Sequence, residues 1–160
     1  MQSVNCAIGY LKTLKKGLFC EAFKIQQQTQ NQFGEGADMS EAMPLCNSSD
    51  LTDGGLAVPF DVIYGGQTCR AFAIRFKGSV HAYLNRCSHV AMEMDFQPNR
   101  FFDTTGQFLI CSTHGALYRP DSGACAGGPC HGGLIPITLS EQGGVVHWHT
   151  EFNLKPFDFS

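Results

Sequence analysis

Four residues in two short groups have the types and spacing to do chemistry: Cys87-Ser88-His89, and Cys111-Ser112-Thr113-His114. Each group brings one sulfur and one imidazole donor to the end of a tight loop, so two such loops pressed together offer two sulfur and two nitrogen ligands. Thiolate with imidazole suits zinc or iron-sulfur chemistry and argues against calcium and magnesium, which want oxygen. Zinc is the plain alternative, because two cysteines and two histidines make an ordinary tetrahedral structural site. Zinc fingers usually pair like with like, however, whereas each loop here carries one Cys and one His. The mixed pairing lets both cysteines face one iron and both histidines the other, as a [2Fe-2S] centre with imidazoles on one iron demands.

The second group continues as Cys111-Ser112-Thr113-His114-Gly115-Ala116-Leu117-Tyr118, then Pro120-Asp121-Ser122-Gly123 and later Gly127-Gly128-Pro129. With its Cys-x-His and Cys-x-x-His boxes, this succession resembles the Rieske iron-sulfur family from Leu45 to Glu151. The resemblance implies one [2Fe-2S] cluster per chain. Cys87 and Cys111 would bind one iron, and His89 and His114 the other, solvent-facing one. Around them, Tyr118 holds the position whose phenol or ring lies beside a ligand cysteine, and Pro129 belongs to a third loop covering the cluster's other side. Ala116 marks a departure: high-potential respiratory members have a Ser there that donates to a cluster sulfide. Those members also carry an additional, disulfide-bonded Cys in each ligand loop, where this chain has Met92 and Ser112-Thr113. Fewer hydrogen bonds to sulfur mean a lower potential, in the lower half of the Rieske range of about −150 to +300 mV.

The resemblance thus points to the ferredoxin and oxygenase branch, an electron-transfer component working between a reductase and an oxygenase or similar acceptor. The alternatives are a Rieske subunit of a larger oxidoreductase complex and a zinc-stapled structural module. No catalytic residue is assigned.

Composition bounds the rest. The net charge of 160 residues is −3, with no basic stripe, which disfavours nucleic acid as a partner. Of the eight cysteines, Cys46 and Cys69 sit among apolar residues as small hydrophobes, and Cys125 and Cys130 read as packing thiols or a labile disulfide. Residues 1–25 lack the apolar run of a signal peptide or membrane span, so a cytoplasmic protein is expected.

The elements that must position the donors follow in order. Residues 1–42 read as an N-terminal extension. Leu11, Leu14, Leu18 and Ile25 have near-helical spacing, and a glutamine-rich stretch follows. A further reading places the native start at Met39 or Met43. Residues 43–155 form the Rieske domain, and 156–160 a tail. Strands are expected over 56–64, with Pro59 at an edge, over 68–76, buried on both faces, and over 79–84, which delivers the first ligand loop. The 21 residues between His89 and Cys111 form an insert in which Met92 and Met94 could shield the site and Phe101-Phe102 return to the core. Further strands are expected over 107–110, 134–139 and 145–149. His81 reads as a structural histidine, His131 as a turn residue, and His147 and His149 as a solvent-facing edge beside Trp148 rather than an iron triad with Glu151. The fold class is therefore all-β, and the resemblance supplies the architecture: an antiparallel β-sandwich or barrel-like base with a small cluster-binding subdomain.

Overall fold

The computed structural model describes residues 40–157; the amphipathic segment around Leu11 to Ile25, the glutamine-rich stretch, Cys6 and Cys20 lie outside the described residues. The strands are β1 (Ala42–Asn47), β2 (Val58–Tyr64), β3 (Gln67–Phe76), β4 (Ser79–Leu84), β5 (Leu109–Ile110), β6 (Leu117–Tyr118), β7 (Cys125–Gly127), β8 (Pro136–Ile137), β9 (Leu139–Gln142), β10 (Val145–His149) and β11 (Leu154–Pro156). Among the described residues there is no α-helix, only a single 3-10 turn at Ser48–Asp50. The all-β class holds.

Two-residue turns set the frame. Gly65-Gly66 joins β2 to β3, and Lys77-Gly78 joins β3 to β4, with positive φ at both residues of each turn, the conformation that matches hairpin twist. Lys77 has no glycine's freedom, and its strained turn is held from outside: the Asp53 carboxylate accepts the amides of Lys77 at 2.9 Å and Gly78 at 2.7 Å. The strands assemble as β11-β2-β3-β4-β8, β1-β10-β9 and β5-β6-β7, every neighbouring pair antiparallel.

β3 explains how a base and a site-bearing layer share one sheet. Its side chains alternate between faces. Ala71 and Ala73 enter a core with Val62, Ala82, Leu84, Val146 and Trp148. Phe72 and Ile74 enter a second core with Tyr83, Met94, Phe101, Cys87, Cys111 and Tyr118. β4 does the same, sending Ala82 and Leu84 one way and Tyr83 the other. The strand is buried on both faces, as its run of apolar residues implies. Arg75, near its end, ties the five-stranded sheet to the β1-β10-β9 sheet. Its guanidinium donates to the carbonyls of Leu51 (2.9 Å), Ser48 (3.2 Å) and Gly78 (3.0 Å), and to Glu141 of β9 at 2.6 Å.

Several sequence expectations shift in detail. Pro59 pairs with Phe72 on one side, while β11 covers β2 only from Val62 to Tyr64, so the strand is an edge at Pro59 and interior three residues later. The strand expected over 107–110 shrinks to Leu109–Ile110 because the Asp103 carboxylate takes the amides of Gln107 (3.1 Å) and Phe108 (3.2 Å). The strand expected over 134–139 divides: β8 pairs with β4, β9 pairs with β10, and the Thr138 carbonyl between them accepts the His149 amide at 3.0 Å. β10 is consequently the middle strand of its sheet, not an edge. His147 and His149 are half-buried on the face opposite Trp148, with His149 Nε2 2.8 Å from Ser140 Oγ.

Candidate metal centre

The first ligand loop begins where β4 ends. Asn85, buried and polar, anchors it: its amide bonds the Arg70 carbonyl at 2.8 Å, its Oδ1 accepts the Met94 amide at 2.8 Å, and its Nδ2 donates to Asp95 at 2.7 Å. A buried amide side chain is tolerable only with its partners supplied. Here those partners fold the start of the insert back under the loop. Cys87 N–H then closes on the Met92 carbonyl at 2.9 Å. The second loop is closed by Cys111 N–H to Ala116 O (2.8 Å) and Gly115 N–H to Cys111 O (2.9 Å). Gly115 takes φ +73° in this turn, which a side chain would resist. Ser112 joins the loops, donating from both its amide (2.8 Å) and its hydroxyl (2.7 Å) to the Met94 carbonyl.

The insert divides by role. Met94 is fully buried, and Phe101 stacks on Phe72 with ring centroids 3.7 Å apart, returning the chain to the core as expected. Met92 does not shield the site; it is 43% exposed, because its backbone rather than its side chain closes the loop.

The donors fall into two pairs. Cys87 and Cys111 are buried at 3% and 1% exposure and pack in the same core. The His89 and His114 rings meet edge to face, centroids 5.0 Å apart. His89 is half-buried and His114 exposed, so the sulfur pair is innermost. Nδ1 of His89 is enclosed without any hydrogen-bond partner, the condition of a nitrogen reserved for a metal. Among the described residues no three His, Cys, Asp or Glu side chains converge as one ion would require. Two donors per iron, two sulfurs and two nitrogens, is the division that a mixed-ligand [2Fe-2S] cluster needs, and the residues fit that group.

Tyr118 sits beside the sulfur pair, fully buried, its Oη 3.1 Å from Cys87 Sγ. The Ser88 amide donates to the same oxygen at 3.1 Å, and the Ser88 hydroxyl, 3.0 Å from it, donates to the Gly132 carbonyl at 2.7 Å. With the Ser88 protons so placed, the phenol's own proton is free to point at Cys87 Sγ. Electrostatics follow. Burial pushes the Cys87 thiol up, but the Tyr118 phenol and the His89 and Val90 amides together outweigh it and leave the thiol below its ordinary value. Cys111 is raised, by burial first and by Cys87 beside it, against the Thr113 amide. Burial also raises the Tyr118 phenol, as does Cys87.

The third loop crosses Gly127-Gly128-Pro129. A Cβ on Gly128 would lie 2.6 Å from the Gly115 carbonyl oxygen, so its backbone rests directly on the second loop. Pro129 follows, half-buried, and Ala116 beneath is fully buried. Cys125 and Cys130 are joined in a disulfide across this turn. Sequence reasoning named Cys87, His89, Cys111, His114, Ala116, Tyr118 and Pro129 but missed Ser88 and Asn85. Ser88 carried a signal, lying between two candidate donors; Asn85 carried none. His131 is exposed, and His81 is half-buried, pushed down by burial and partly restored by Asp121.

Similarity to known proteins agrees with this geometry. The Rieske [2Fe-2S] domain family model matches residues 41–145. The fold is similar to the ferredoxin of carbazole 1,9a-dioxygenase from Nocardioides aromaticivorans IC177, at 22% identity and TM-score 0.55, covering 68% of this chain and 97% of that one. It is also similar to the terminal oxygenase of carbazole 1,9a-dioxygenase from Novosphingobium sp. KA1, at 21% identity and TM-score 0.56, covering 74% of this chain and 31% of that one. A reduced complex between oxygenase and ferredoxin in carbazole 1,9a-dioxygenase matches at 18% identity and TM-score 0.54, over 68% of this chain and 28% of that one. At such identities the likeness is one of fold. No curated protein matches the sequence. With a thiol and an imidazole on each of two neighbouring loops, and a family match over residues 41–145, the chain belongs to the Rieske [2Fe-2S] domain family.

Proposed function

We propose that the protein is a ferredoxin-like electron carrier in which Cys87 and Cys111 hold one iron of a [2Fe-2S] cluster and His89 and His114 hold the other. The observation that carries this reading is the order of the donors from inside to outside: buried thiols, a half-buried His89 with an enclosed, unpartnered Nδ1, and an exposed His114. The bound cluster supplies one-electron transfer; the chain sets its direction and energy. Tyr118 and Ser88 fix the inner end by hydrogen bonding around Cys87. The exposed imidazole of His114 is the contact point for a partner. The segment after His89 leaves Val90, Met92 and Phe96 46%, 43% and 86% exposed.

The partners in this reading are a reductase on one side and an oxygenase or similar acceptor on the other; the acceptor side is supported by the complex between oxygenase and ferredoxin in carbazole 1,9a-dioxygenase, one chain of which has this fold over 28% of its length. Among the described residues no helix is long and apolar enough to cross a membrane, and the site of action in this reading is the cytoplasm. Residues 43–155 are the working domain.

The test is low-temperature electron paramagnetic resonance of anaerobically purified, dithionite-reduced protein, with iron and zinc quantified in the same sample. A reduced [2Fe-2S] signal whose average g lies below that of an all-cysteine cluster is expected. Electron paramagnetic resonance silence with one zinc per chain would overturn the proposal.

A further inference from the structure

The disulfide between Cys125 and Cys130 joins two unlike surroundings. Cys125 is exposed, whereas Cys130 is 8% exposed and packs in the same core as Cys87, Cys111, Ala116 and Tyr118. The backbone between them rests on the second ligand loop through Gly128. Two residues past the bridge, the Gly132 carbonyl accepts the Ser88 hydroxyl of the first ligand loop at 2.7 Å. One covering loop therefore touches both ligand loops, and the bridge closes it. The reduced sulfurs also have acceptors at hand. Cys125 Sγ lies 3.1 Å from the Cys130 carbonyl, and Cys130 Sγ lies 3.1 Å from the Gly127 carbonyl and 3.5 Å from that of Leu117. A thiol at position 130 would not be buried unpaired, so opening the bridge leaves a tolerable state.

We infer that Cys125–Cys130 is an exchangeable clamp: the disulfide holds the covering loop over the site, and a protein dithiol of the Cys-x-x-Cys type reduces it and releases the loop. The dithiol's thiolate attacks the sulfur of Cys125, the exposed residue of the pair, forming a mixed disulfide as the Cys125–Cys130 bond breaks. Cys130 leaves as a thiolate and takes a proton. The dithiol's second sulfur then attacks the mixed disulfide, Cys125 leaves and is protonated, and the reductant departs oxidised, two electrons and two protons having passed to this chain. In reducing compartments disulfides are usually transient or sensing. The exchange stands on the sulfurs alone; its consequence for the cluster rests on the function proposed above. Because the bridge restrains the open loop, losing it should raise local opening on the order of tenfold.

The full chain, purified anaerobically, is blocked with iodoacetamide, treated with reduced thioredoxin as the probe dithiol, labelled with N-ethylmaleimide and mapped by mass spectrometry. New label is expected at Cys125 and Cys130 alone, with loss of cluster absorbance in air and chelator becoming on the order of tenfold faster. The double variant Cys125→Ser, Cys130→Ser should bleach at the fast rate and ignore the dithiol. If that variant fails to fold, the dithiol-treated natural chain carries the same comparison. Iodoacetamide on Cys125 before reduction, absence of new label after it, or an unchanged bleaching rate would overturn the clamp. Should the protein hold no iron, the proposed function fails on its own, and proteolysis between residues 125 and 130 with and without the dithiol still decides whether the bridge restrains the loop.

Discussion

Tyr118→Phe removes one oxygen from a fully buried ring and separates three consequences. The phenol lies 3.1 Å from Cys87 Sγ and accepts the Ser88 amide at 3.1 Å. A hydrogen bond to a charged group is worth about 1.5–3 kcal/mol, but only the part that differs between oxidised and reduced cluster moves the potential. Taking that part as about 1 kcal/mol, and a tenfold change as about 1.4 kcal/mol or 59 mV for one electron, the potential should fall by about 40 mV. The Ser88 amide meanwhile loses its acceptor, for about 1 kcal/mol of stability. In cluster-free protein the same substitution should raise the Cys87 thiol, since the phenol is the leading influence opposing burial there. Its alkylation profile would then move to higher pH. Spectroscopic redox titration, chemical unfolding and the alkylation profile read the three effects. An unchanged or higher potential in a variant that still folds and binds iron would refute the placement of the phenolic proton on Cys87.

Three other perturbations reach the framework around the site. Arg75→Ala breaks the bonds to Leu51, Ser48, Gly78 and Glu141 at once. It should cost about 2–4 kcal/mol in urea unfolding, with Arg75→Lys recovering less than half; a loss below about 1 kcal/mol would show that the sheets do not depend on this tie. Burial, aided by the Asp121 charge and opposed by the Gly123 amide, pushes the Tyr83 phenol up to about 12. Its neutral form therefore stabilises the fold fully below about pH 10, and about 2–3 kcal/mol is lost as pH rises towards 12. Tyr83→Phe should flatten that part of the alkaline unfolding curve, and an identical slope would count against the shift. Gly128→Ala places a Cβ 2.6 Å from the Gly115 carbonyl at φ +76° and should lower both iron content and stability, by about 2–4 kcal/mol. Gly65→Ala, with open space around it, should cost only about 1 kcal/mol; equal costs at the two positions would mean that the third loop does not press on the second.

What the sequence made legible was whatever a single residue type at a fixed spacing has to do. Two Cys and two His in mixed pairs are hard to place for any reason except a metal, and the alternation of Ala71 and Ala73 with Phe72 and Ile74 can only serve a strand with a core on each side. The illegible parts share a physical cause: a distant side chain supplies a partner that the backbone would otherwise have found in a strand. Asp103 takes two amides and shortens β5, and Asn85 takes the Met94 amide and turns the insert inward. Ser88 spans from Tyr118 to Gly132. No local pattern encodes these bonds, since any Asp, Asn or Ser in a loop has the same propensity. They concentrate around the donors for a reason. Regular strands leave no amide to spare for a buried sulfur and no carbonyl-free space for an enclosed imidazole, so the chain must leave the ladder at the site and have its stray backbone groups satisfied from the side. The scaffold is therefore readable where it is repetitive, and the site is readable only in its donors, because everything that holds those donors in place is a long-range substitute for the hydrogen bonds of a sheet.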